Sequence, residues 1–155
     1  MLFKRKIYDK FLAWKTECAG KKALLVEGAR RIGKSTVVEE FAKNEYKSYI
    51  LIDFAKASSD VKEYFQLYLN DLDTFFMLLS VQYGVQLHER DSVIIFDEVQ
   101  LFPKAREAIK YLVADGRYDY METGSLISIK ENVKDIVIPS EERQMKMLSL
   151  IHISE

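Results

Sequence analysis

Gly28-Ala29-Arg30-Arg31-Ile32-Gly33-Lys34-Ser35 carries glycine, glycine, lysine and serine at the four fixed positions of the pattern G-x-x-x-x-G-K-[ST]. On average residue usage, that coincidence arises in about one chain of this length in two hundred. Its surroundings narrow it further. The run Ala23–Glu27 before it reads as a short buried strand, and Lys34–Lys43 after it reads as a helix with Val37, Val38, Phe41 and Ala42 on one face. Glycines at both ends let the loop curl so that successive N–H groups face one anion, and a side chain at either would obstruct that path. The helix that follows aims the positive end of its dipole at the same point. In this pattern Lys34 reaches the β- and γ-phosphates of a nucleotide, and the Ser35 hydroxyl ligates Mg²⁺. The candidate nucleotide-binding residues are therefore Gly28, Ala29, Arg30, Arg31, Ile32, Gly33, Lys34, Ser35 and Thr36.

Working outward, the next signal is Ser92-Val-Ile-Ile-Phe96, a β-prone run ending in Asp97 and Glu98. Acids at the end of a buried strand are costly unless a cation or bound water accounts for them. Asp97 is placed to hold Mg²⁺, and Glu98 to orient or deprotonate an attacking water. Ser48–Phe54 reads as another strand. A long helical stretch follows, with Tyr64, Tyr68, Leu72, Phe75, Phe76 and Leu79 at near-i+4 spacing. These aromatics fit core or interface packing better than base stacking. Pro103 opens a helix that Gly116 closes. Tyr118–Glu122 reads as a fourth strand with Thr123-Gly124-Ser125 just beyond it, and Ile136–Ile138 as a short fifth. Strands alternating with helices predict an α/β fold: a mostly parallel sheet covered by helices on both faces.

Composition sets bounds on this reading. The chain has 155 residues, 23 Lys plus Arg against 24 Asp plus Glu, and a net charge of −1. That balance gives no direct sign of a nucleic-acid arm or a polybasic membrane anchor. Hydrophobic residues at 48% with charged residues at 30% exclude global disorder. Cys18 is the single cysteine, so no intrachain disulfide or CxxC site can form. His88 and His152 have no metal-ligand spacing. The amino terminus lacks a signal-peptide core, and the longest apolar run, Phe75–Leu79, is too short to span a bilayer. A cytoplasmic location is the expectation. Ile7, Tyr8, Phe11, Leu12 and Trp14 suit a short amphipathic helix that docks on the domain's own surface.

Taken together, these motifs resemble those of the prokaryotic AAA-type P-loop ATPases that precede a domain of unknown function. The resemblance rests on GARRIGKST (28–36) and FDEVQ (96–100), with the flanking LIDF (51–54) and TGS (123–125), and covers about Phe3 to Met147. It implies a three-layer P-loop NTPase fold whose central sheet has an added strand between the phosphate-loop strand and the acidic strand, leaving room for a catalytic glutamate. It also matches Thr123-Gly124-Ser125 to the polar sensor of the γ-phosphate; either Ser125 or Thr123 fits that role. No sequence rule identifies an arginine finger among Arg30, Arg31, Arg117 and Arg143.

These readings give an expected organisation and function. Residues 1–20 form an amphipathic helix and linker, 21–147 the ATPase domain, and 148–155 a tail that departs from the resemblance. That departure suggests a chain truncated before a further C-terminal domain, its last residues an assembly or cloning artefact. The leading function is Mg²⁺-dependent ATP hydrolysis, with Lys34, Glu98 and Ser125 as catalytic residues and Ser35 and Asp97 as metal ligands. A nucleotide-dependent binding switch with little turnover and a P-loop small-molecule kinase are the alternatives. The absence of an Asn-Lys-x-Asp run argues against guanine. A homo-oligomer is compatible with this reading.

Overall fold

The computed structural model of the chain describes residues 2–28, 33–125 and 142–147. Among them, β1 (Ala23–Gly28), β2 (Ser48–Asp53), β3 (Ser92–Asp97), β4 (Asp119–Gly124) and β5 (Glu142–Met147) pair in parallel in the order β2-β3-β4-β1-β5. The added strand is therefore β4. It separates β1 from β3, with Val26 opposite Thr123 on one side and Phe96 opposite Glu122 on the other.

Parallel strands need crossovers, and right-handed crossovers fix which face each helix covers. From β1 the chain crosses to the far edge at β2 through α2 (Lys34–Glu45), then returns strand by strand. The return runs through α3 (Ser59–Leu67) and α4 (Leu72–Tyr83) to β3, then through α5 (Pro103–Asp115) to β4. The two directions of travel put α2 on one face and α3, α4 and α5 on the other. Two cores result. Leu24, Val26, Val93, Ile95 and Met121 pack with Val38 and Phe41 of α2, joined by Ile7, Phe11 and Trp14 of α1 (Leu2–Cys18). Ile50, Ile52, Ile94, Phe96 and Tyr120 pack with Phe65, Phe75, Leu79, Ile109 and Leu112. The alternation along β3 is the sheet's own period of two. Because β1, β3 and β4 are covered on both faces, every residue in them is buried, whereas edge strand β2 alternates.

Two expectations change. The long helical stretch is two helices, because Asp71 starts a new one: its carboxylate accepts from the Thr74 N–H at 3.3 Å and the Thr74 hydroxyl at 2.6 Å. Phe75, Phe76 and Leu79 do enter the core, together with Val61 and Phe65 from α3. Among the described residues a further strand, Glu142–Met147, pairs with β1; the expected strand Ile136–Ile138 lies outside the described residues, as do His152 and the tail 148–155. Finally, β4 runs on to Gly124, so Thr123 is a buried strand residue.

The end of the sheet away from the glycine loop is tied by polar contacts. Arg90 and the Tyr46 hydroxyl both bond to the Asp119 carboxylate at the start of β4. Burial and that carboxylate push the Tyr46 phenol well above its usual range. No helix among the described residues is long and apolar enough to cross a membrane.

Candidate functional site

Three strand ends and one helix start meet at the carboxyl edge of the sheet, the edge where open α/β folds hold ligands. Gly28 ends β1, Asp97 ends β3, Thr123 and Gly124 end β4, and Lys34 and Ser35 begin α2. Gly33 sits before Lys34 with φ 82° and ψ 18°, a left-handed conformation that suits glycine. A Cβ at Gly33 would meet no described atom within 4 Å. Thr36 is exposed. Ala29, Arg30, Arg31 and Ile32 lie outside the described residues, as does the side chain of Arg143.

Asp97 is buried, yet its charge is well provided for. Its Oδ1 accepts from the Ser35 hydroxyl at 2.6 Å and from the Thr123 hydroxyl at 2.5 Å. Because Ser35 spends its one proton on Asp97, its oxygen lone pairs stay available to a cation. Thr123 does two jobs at once. While donating to Asp97, its oxygen also accepts the backbone N–H of Glu98 at 3.0 Å. One hydroxyl on the middle strand thus ties Asp97, the last residue of the neighbouring strand, and Glu98 just beyond it.

Glu98 is held in the left-handed region at φ 56° and ψ 49°, which costs a non-glycine residue about 1–2 kcal/mol. Such strain persists only where the surroundings over-determine it, and it concentrates at functional sites. The surroundings are visible. Beyond the Thr123 bond, the 3-10 turn Val99–Leu101 buries Val99 and Gln100. Phe102 stacks on Phe54 at 5.4 Å, and Phe65 packs edge-on to Phe102 at 5.8 Å and to Phe96 at 5.5 Å. The Glu98 carboxylate lies 3.6 Å from Lys34 Nζ through Oε1 and accepts from Gln100 Nε2 at 2.6 Å through Oε2.

The structure thus brings Lys34, Ser35, Asp97 and Glu98 into one connected group, with Thr123 as its tie. Ser125 follows β4 and is buried beside this edge. Arg117 lies before β4, at the opposite end, paired with Asp73 at 2.7 Å and Asp115 at 3.1 Å. Sequence reasoning did not single out Gln100, although it stands inside FDEVQ. It also missed Arg106 and Glu122, which form a buried pair at 3.5 Å between α5 and β4. The signal for Arg106 was its place three residues before Ile109 on the apolar side of α5.

The Thr123 tie can be weighed directly. Thr123→Val removes a donor to Asp97 and the acceptor of a backbone N–H, a loss of about 1–3 kcal/mol. Urea unfolding should show that drop, while Thr123→Ser, which keeps the hydroxyl, stays within about 1 kcal/mol of the parent.

A parallel sheet in which the strand and helix flanking the G-x-x-x-x-G-K-S run stand one strand away from an acid-tipped strand is an arrangement of the P-loop class. Within it, a family model described as an AAA domain matches residues 20–150. The chain belongs to this AAA domain family. No curated protein matches it in sequence. Among solved structures it is similar to C. elegans PCH-2, at 12% identity and a TM-score of 0.47 over 93% of this chain and 42% of that one. It is similar too to the Pyrococcus furiosus Hef helicase domain, at 14% identity and a TM-score of 0.42 over 93% of this chain and 37% of that one. The chain therefore spans less than half the length of either structure.

Proposed function

We propose that this chain binds ATP and hydrolyses it with water as the nucleophile. The observation that carries the reading is the 3.6 Å approach of Glu98 to Lys34. It sets a carboxylate beside the ammonium that the loop pattern assigns to the β- and γ-phosphates. Lys34, the N–H groups at the start of α2 and those of residues 28–33 hold the phosphates. Ser35 and Asp97 present a hydroxyl and a carboxylate oxygen, the hard donors that suit Mg²⁺ shared with phosphates and water. Bound there, Mg²⁺ would offset phosphate charge.

Glu98 takes a proton from water as the water oxygen bonds to the γ-phosphorus. The bond from that phosphorus to the β–γ bridging oxygen breaks, and ADP leaves with its electron pair. Thr123 has already committed its proton to Asp97, which favours Ser125 for the sensor role.

Phosphate release from ATP tests this reading, measured with Mg²⁺ and again with a chelator. Release to water that needs Mg²⁺ is the expected result. ATP bound with no release would instead make the domain a nucleotide-controlled switch. Phosphate transferred to an added acceptor, with none released to water, would make it a kinase.

A further inference from the structure

The Glu98 carboxylate is held from two sides, and a nucleotide would treat the two holds differently. Lys34 opens α2 beside the glycine loop, so phosphate competes for its ammonium. A triphosphate carries far more negative charge than one carboxylate and wins that contest. Gln100 stands on the other side. Its side chain is buried in the turn after Glu98, and its Nε2 donates to Oε2 at 2.6 Å. The aromatic packing of Phe102 on Phe54 and Phe65 backs that turn on the side of the sheet away from α2.

We propose that Gln100 is the positioning residue of the general base: it keeps the Glu98 carboxylate oriented after nucleotide has drawn Lys34 away. The proposal rests on the reading of Glu98 as base. An amide suits the task because it fixes a carboxylate by hydrogen bonding without placing a positive charge against it. With Oε2 engaged, Oε1 is the oxygen that Lys34 vacates, and so the one left to accept a proton from water. Thr123 fixes the backbone of Glu98, and Gln100 fixes the end of its side chain.

The test compares the parent chain, Gln100→Met, Gln100→Asn and Glu98→Gln, each for kcat and KM with Mg–ATP, nucleotide affinity and thermal midpoint. Met keeps the volume and loses the donor; Asn keeps the amide and loses the reach. Both are expected to lower kcat about tenfold to hundredfold, the worth of a hydrogen bond to a charged group. KM and nucleotide affinity should stay within about twofold, since the amide does not touch phosphate in this scheme. In single turnovers, adding Gln100→Met to Glu98→Gln should slow hydrolysis no further, because the residue acts only through the carboxylate.

Undiminished kcat in both Gln100 variants, with Glu98→Gln inactive, overturns the proposal and leaves the base in place. So does a loss in which kcat, affinity and thermal midpoint fall together, the mark of a packing role. Full hydrolysis by Glu98→Gln, or none by the parent, removes the base itself.

Discussion

Replacing Glu98 with Gln is expected to leave ATP bound and to lower kcat by about 10²–10⁴-fold, the usual contribution of a positioned acid or base. The substitution changes one atom and keeps the shape. An amide oxygen can still accept from Gln100, and the backbone N–H can still reach Thr123, so the local fold should hold. What the amide cannot do is take a proton. The substitution also removes the attraction that draws Lys34 towards Glu98. Lys34 is almost wholly buried and Glu98 only about one-fifth exposed, so solvent screens the pair little and its loss should make the ammonium more available to phosphate. The expected signature is therefore equal or tighter binding with hydrolysis almost gone. Isothermal titration and a phosphate-release assay on the same preparation would show it. Turnover at the parent rate would rule out Glu98 as the base.

The second large effect belongs to Lys34. Lys34→Ala should raise the Kd for ATP by about a hundredfold or more, since an ammonium on phosphate makes strong charge-assisted hydrogen bonds. Its expected effect on stability is the revealing part. A positive charge in the first turn of a helix opposes the dipole by about 0.3–1 kcal/mol, and Lys34 is 3% exposed, so its charge is also poorly hydrated. The fold gains little from a buried lysine there. Chemical unfolding of Lys34→Ala should consequently match the parent within about 1 kcal/mol, while titration shows the nucleotide affinity lost. A variant that loses stability as steeply as affinity would instead make Lys34 a structural residue.

Much of this architecture is legible in the amino-acid sequence. The glycine loop, β1, β3 and the acids at the end of β3 follow from local pattern, because buried parallel strands are continuous apolar runs and the loop has a fixed spacing. Two elements were less legible. The division of α3 from α4 depends on Asp71, a capping residue whose neighbours carry apolar spacing straight across the break. Strand β5, Glu-Arg-Gln-Met-Lys-Met, has no apolar run, and its pairing with β1 uses backbone groups that any sequence provides.

In the site, residue types announced Lys34, Ser35, Asp97 and Glu98, whose chemistry is local. Thr123 and Gln100 were harder to place. A threonine at a strand end reads as a polar turn until its partners on the next strand are known. Gln100 matters through a bond across a tight turn that depends on Glu98 adopting a left-handed backbone.

The position of β4 has one more consequence. Neighbouring strands lie about 4.8 Å apart, so the ends of β1 and β3, with β4 between them, are separated by about 10 Å. That interval is set by main-chain hydrogen bonds and is indifferent to which side chains fill the two cores. The sheet acts as a ruler. Substitutions in the packing layers can loosen the domain or lower its melting point, but the gap between glycine loop and acids stays fixed while the strand order is kept.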